Sequence, residues 1–200
     1  MSEKSKKVKI QEYQERYRFW TDKRISQLSF HNNLLLTLGF AVIGYFWLER
    51  DKVYTKLVVN FDASIDWIVL LFLLGLIVTA VSIISGFILS LSRLYDLRLT
   101  SNIVLTRKRI TKKEIEVNDE SLSKSSFIVA MKTLFCVNWK YHDYEITRSD
   151  ITENEELQIK FTELRQKSHD LNELTWGLLK CQTACMLIGI IFFILVLTMK

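Results

Sequence analysis

Hydrophobic and polar positions in this 200-residue chain segregate into blocks rather than alternating. Residues 67–92 form the longest block: 26 residues with no Asp, Glu, Lys, Arg or His, closed by Asp66 at one end and Arg93 at the other. As a helix rising ~1.5 Å per residue this block extends ~39 Å, more than the ~30 Å hydrocarbon core of a bilayer, and it predicts a transmembrane helix. Residues 25–48 carry no formal charge, are almost wholly apolar from Leu34 onward, and end in Tyr45, Phe46 and Trp47. They predict another span with an aromatic belt at one interface. Residues 181–199, nineteen uncharged positions preceded by Lys180, predict a third. The Lys180 stem can snorkel to the interface.

The polar stretches keep a helical period. Ile10, Tyr13, Tyr17 and Trp20 share one side of an amphipathic helix that starts near Val8, suited to packing on other helices or to lying at the membrane surface. Residues 94–117 continue the second block without a breaker, so residues 67–117 predict one rod of ~75 Å. Residues 118–126 read as a polar turn whose serines are good N-caps. Residues 127–137 are apolar but too short to span, and predict a helix buried against the rods or lying on the membrane. Residues 150–153 resemble a carboxylate-capped helix start. Beyond them Leu157, Phe161, Leu164, Ser168, Leu171, Thr175 and Leu178 recur at spacings of 4 and 3, a coiled-coil-like seam that runs into the third span.

The expected fold is all-α: a polytopic membrane protein with three transmembrane helices continuing into a cytoplasmic helical stalk. The expected divisions are an amphipathic helix over 1–30, spans over 31–48, 67–92 and 177–200, a short external loop over 49–66, and a cytoplasmic hairpin over 93–176 whose tip is 118–150. Residues 1–31 carry eight Lys or Arg against three in the 49–66 loop, and Arg93 and Arg98 follow the second span. By the positive-inside rule the N-terminus and 93–176 are then cytoplasmic and the C-terminus lies outside, in a multi-pass protein of the inner (cell) membrane. The basic start, Lys4, Lys6, Lys7 and Lys9, lacks the apolar core and cleavage site of a signal peptide.

Composition narrows the chemistry. There is no Pro, and all six Gly lie in or beside the hydrophobic blocks, which excludes a Gly-rich phosphate loop outside them. His31, His142 and His169 are scattered and show no metal-ligand spacing. Cys181 and Cys185 stand one turn apart and, with Gly189, read as a small-residue packing stripe, with acylation or redox sensing the alternative; no disulfide framework is suggested. No nucleophile–base constellation appears, so no catalytic residue, metal site or cofactor is expected. The spans contain no charge, which removes the usual marks of a proton relay or ion-coupled carrier.

Two constellations remain. Gly75, Thr79, Ser82, Gly86 and Ser90 fall on one face of the second span, and small hydroxyl residues there suit either a helix-packing seam or the wall of a water-filled pore. Arg107, Lys108, Arg109, Lys112 and Lys113 put five basic residues in seven, either a solvated helix end or a patch for an anionic ligand or partner. No aromatic residue lies beside that run to stack a base, so nucleic acid is not an expected partner. Gln27, His31, Asn32 and Asn33 are either interfacial, at a pore mouth, or capping a neighbouring helix.

Arg18-Phe-Trp20 before the first span and Arg93-Leu-Tyr95-Asp-Leu-Arg98 after the second are similar to positions of the SLATT group, small bacterial membrane proteins regarded as effectors of anti-phage and other conflict systems. The resemblance covers residues 19–109; the third span is additional to that group's two-span pattern. It implies a homo-oligomer that opens a pore and depolarises the membrane when a partner signals. The expected function is therefore a pore-forming or channel-like effector gated through its stalk, in contact with membrane lipid and with a soluble cytoplasmic sensor protein or anionic messenger. The alternative is a non-conducting membrane scaffold or docking subunit.

Overall fold

The computed structural model describes residues 3–54, 67–112, 122–140, 144, 146 and 154–198. The described residues form four helices in the order α1 (Glu3–Tyr54), α2 (Trp67–Lys112), α3 (Phe127–Lys140) and α4 (Asn154–Thr198). The loop expected over 49–66 begins later than its charges suggest, because α1 runs unbroken to Tyr54. Neither Pro nor Gly interrupts residues 45–54, and the polar residues that follow Leu48 are tolerated in helices, so nothing local ends the helix at the apolar boundary. The same continuity joins the expected amphipathic helix and first span into one element. Several expectations lie outside the described residues: the end of the 67–117 rod beyond Lys112, the cap at 150–153, and the side chains of Ile10, Tyr13, Tyr17 and Trp20.

Two of the helices are long and apolar enough to cross a membrane, α2 over Trp67–Arg107 and α4 over Glu156–Thr198. The rest of the described residues bury only 39% and 22% of their most apolar windows. α2 and α4 are antiparallel partners of almost equal length: Ser82 meets Gln182, Ser92 meets Leu171, and Asp96 meets Ser168. α1 lies antiparallel to α2, with Asn32 against Ser90 at one end and the Phe46 ring 4.8 Å from Phe72 at the other. Phe193 of α4 joins that ring cluster at 5.3 Å from Phe46.

The polar half of the α2–α4 hairpin holds the larger core. Leu99 and Ile110 of α2 pack with Leu157, Phe161, Leu164, Leu171 and Leu174 of α4, so the 4–3 seam read along α4 is its buried edge. α3 is not at the distal tip of the hairpin. It folds back alongside α4 and buries Ala130, Thr133, Leu134 and Val137. Ser126 caps it: its carbonyl accepts from the Ala130 N–H at 2.9 Å and its hydroxyl from the Val129 N–H at 3.4 Å. Burial of that apolar edge draws the segment back, while the opposite edge, Ile128, Phe135 and Trp139, remains exposed.

Candidate functional site

Polar side chains line the seam where α2 faces α4 and α1. At the apolar end the backbones approach on glycines: a Cβ added to Gly189 would stand 2.6 Å from the Thr79 hydroxyl, and one added to Gly75 would stand 3.3 Å from Phe192 and Phe46. The Thr79 hydroxyl donates to the Gly75 carbonyl at 2.8 Å, which satisfies it within its own helix. One turn on, the Ser82 hydroxyl donates across the seam to the Gln182 carbonyl at 2.9 Å.

Gly86 opens the next layer. A Cβ there would lie 2.5 Å from Gln182 Nε2 and 3.0 Å from Asn32 Oδ1, so the missing side chain is what lets carboxamides from α4 and α1 converge. Asn32 donates from Nδ2 to the Ser90 hydroxyl at 2.8 Å, and Ser90 donates to the Gly86 carbonyl at 3.1 Å. Its Oδ1 has no hydrogen-bond partner among the described residues, and neither does Gln182 Nε2 or Oε1. Gln182 is 0% exposed and Asn32 3% exposed. A buried carboxamide without partners costs about 1–3 kcal/mol for each unmet group.

Below this layer most polar side chains are bonded, while Arg93 Nε and Thr106 Oγ1 are buried without a partner among the described residues. Ser92 donates to the Leu171 carbonyl at 2.9 Å and shares a hydrogen bond with Thr175 at 3.1 Å. Asp96 accepts from Arg93 Nη1 and from Ser168, both at 2.8 Å, and from Thr100 at 3.4 Å. Burial pushes the Asp96 carboxyl above its ordinary value; the Ser168 bond, the Arg93 charge and the Thr100 bond pull the other way without cancelling the burial. Asn102 donates to the Tyr144 carbonyl at 3.4 Å, and Thr106 is fully buried beyond it.

The predicted stripe thus lies inside the chain's own bundle. Gly75, Thr79, Ser82 and Gly86 are buried between helices, and Ser90 is at the edge, bonded to Asn32. Of the interfacial polar set, Asn32 points inward to cap α2 groups, while His31 and Asn33 are exposed. In the basic run, Arg107 is exposed with its guanidinium 6.0 Å above the Phe161 ring. The side chains of Lys108, Arg109 and Lys112, and all of Lys113, lie outside the described residues. Cys181, which is exposed, approaches Ser85 at 3.9 Å and Cys185 at 4.0 Å.

Gln182, Ser85, Ser92 and Asp96 belong to the seam without having stood out in the sequence. Ser85, Ser92 and Asp96 do repeat at spacings of 7 and 4, which marks a second polar line beside the stripe. Gln182 gave no signal beyond being the largest polar side chain in its apolar block. No ligating cluster of three or more His, Cys, Asp or Glu occurs among the described residues. Comparison with known protein families, with curated proteins and with solved structures finds no match for this chain.

Proposed function

We propose that this protein is a channel-like membrane effector of three spans, in which a polar path along the α1/α2/α4 seam opens when the cytoplasmic stalk shifts. The observation that carries this reading is the pair of carboxamides at Gly86: buried at the level of the apolar spans, close together, and left with unmet hydrogen bonds. Groups that are costly in a closed seam are satisfied if water or a permeating ion enters it, so they favour an open state relative to an all-apolar seam. A span within residues 25–48, besides those of α2 and α4, is supported by its lack of charge and by α1 running alongside α2 over that length. The basic residues on 1–31 and 93–98 favour a cytoplasmic N-terminus and stalk in the inner membrane. Assembly of several copies and a role in bacterial defence follow the SLATT-like resemblance.

The test is ion flux into liposomes for the wild type, Gln182→Leu and Asn32→Leu. Gln182→Leu removes two unmet polar groups and should be at least as stable, whereas Asn32→Leu also gives up the bond to Ser90; both should lose flux. A conducting wild type whose leucine variants conduct equally well would sink the seam as the path.

A second reading, a non-conducting scaffold, is favoured by the bonded lower seam and by the uncovered Ile128, Phe135 and Trp139 face of α3. It predicts that overexpression, alone or with a partner, leaves the membrane potential intact.

A further inference from the structure

α3 crosses the α2–α4 hairpin instead of running along it. Just before α3 begins, the Ser125 N–H donates to Glu173 Oε2 of α4 at 3.1 Å. Midway, Thr133 donates to Asp170 at 3.1 Å. Near the end, the Tyr95 hydroxyl of α2 donates to Asn138 Oδ1. Tyr95 lies between Ser92, which meets Leu171, and Asp96, which meets Ser168. The thirteen steps from Ser125 to Asn138, ~20 Å as helix, are therefore taken up over ~6 Å of the hairpin's length. α3 lies nearly at right angles to α2 and α4. Its level is that of Arg93, where the charge-free stretch of α2 ends.

The uncovered side of α3 is divided. Phe127 lines a hollow with Trp176, Gly177 and Lys180, toward the apolar end of α4. Thr133, on the other flank of the buried edge, meets Asp170, toward the stalk. At ~100° per residue, Phe135 and Ile128 fall on the Phe127 side, Lys132 and Lys140 on the Thr133 side, and Trp139 opposite the buried edge. Ile128 is 79% exposed and Trp139 82%, more than any other large apolar side chain among the described residues. Residues 122–140 carry Lys124, Lys132 and Lys140 and no acid.

We infer that α3 is an interfacial helix, lying in the headgroup layer of a phospholipid bilayer on the stalk side. Ile128, Phe135 and Trp139 enter the acyl boundary, and the lysines lie among anionic headgroups. A helix with one apolar and one basic side adopts this position, and Trp favours that depth. Long lysine stems reach from it to the phosphates. An apolar patch also suits a protein partner. The bilayer is selected by the orientation of α3, by its level, and by continuity: exposed Trp176, beside Phe127, shares one face of α4 with exposed Leu187 and Ile194. Such an anchor fixes the depth and rotation of the hairpin. It rests on α2 and α4 crossing the membrane and not on conduction.

The test uses the full chain in vesicles of phosphatidylcholine and phosphatidylglycerol. Single cysteines carry a nitroxide in a chain with Cys136→Ser, Cys181→Ser and Cys185→Ser. Ile128→Cys, Phe135→Cys and Trp139→Cys report on the apolar side of α3, Lys132→Cys on its basic side, and Phe87→Cys on the exposed surface of α2. Oxygen, which concentrates in lipid, should relax the label at least about threefold more than a water-soluble nickel chelate at 128, 135 and 139, with the order reversed at 132. Nickel dominant at those three sites overturns the proposal. If oxygen then still dominates at 87, the face is open to water and to a soluble partner; if nickel dominates there too, the membrane crossing itself has failed. Labels at 128, 135 and 139 that meet neither reagent show the face covered by protein, which also overturns it. Unlabelled protein gives a check free of those substitutions. The emission lost in Trp139→Phe should be quenched by lipid brominated on its acyl chains, and quenching by aqueous iodide alone overturns the proposal.

Discussion

The Ser82 hydroxyl on α2 donates to the main-chain carbonyl of Gln182 on α4 at 2.9 Å, across 100 residues of chain. This bond joins the two longest apolar segments at the layer where the carboxamides gather. Hydrogen bonds between membrane helices contribute about 0.6 kcal/mol on average and up to ~1.7. Ser82→Ala should cost an amount in that range, and Ser82→Leu more, through overpacking of ~1–3 kcal/mol. Reversible unfolding of the purified protein in mixed micelles measures both; equal stability of wild type and Ser82→Leu would show that the seam is looser than described.

The glycines separate into two groups by what surrounds them. Gly189→Ala drives a methyl to 2.6 Å from the Thr79 hydroxyl, and the two helices must part or Thr79 must turn. A loss of about 1–3 kcal/mol is expected. Gly44 and Gly177 have nothing within 4 Å of the added Cβ. Alanine at either should be neutral or stabilising by up to ~1 kcal/mol, through the helix preference of Ala over Gly. The same unfolding assay on the three variants checks the ordering.

The stalk core should respond as a water-soluble core does. Phe161 is 2% exposed among Leu99, Leu157 and Leu164, with Arg107 over its ring. Phe161→Ala should destabilise by about 3–5 kcal/mol. Phe87, 53% exposed on the apolar surface, gives the contrast: Phe87→Ala should change stability little once lipid fills its place.

α3 is held to α4 by polar contacts as well as by its apolar edge. Thr133 donates to one Asp170 oxygen at 3.1 Å and Gln166 to the other at 2.8 Å, with Asp170 buried. Thr133→Val keeps the shape and removes a donor to a charged group, a loss of about 1.5–3 kcal/mol. Limited proteolysis should then cut within residues 122–140 earlier than in the wild type, while the α2–α4 pair stays intact.

Asp96 sets the sign of a pH effect. Its carboxyl is held above the ordinary range in the folded state, chiefly by burial, so folding favours the protonated form. Its favourable contribution is complete below the unfolded pKa and is lost as pH rises through the higher folded value. The stability of the wild type relative to Asp96→Asn should therefore fall from pH 4 upward and level off once Asp96 is ionised. Paired denaturation curves across that range measure it; a difference that grows with pH would reverse the assignment.

The helices and their order were legible in the sequence because helix formation and exclusion of charge from lipid are local demands. Twenty-six uncharged residues, the absence of Pro, and the 4–3 spacing from Leu157 to Leu178 announce α2 and α4 and even the buried edge of α4. The small-residue face of α2 was legible too, as a face for packing or for a pore. What it meets was not. Gln182 and Asn32 converge on Gly86 only through an antiparallel register among three helices. Likewise, α3 leaves the hairpin tip because its apolar edge finds Leu171 and Leu174. A residue's own periodicity tells which side it occupies, but contacts made across 50 to 100 residues depend on how whole helices slide and rotate against one another, and only the packed bundle decides that.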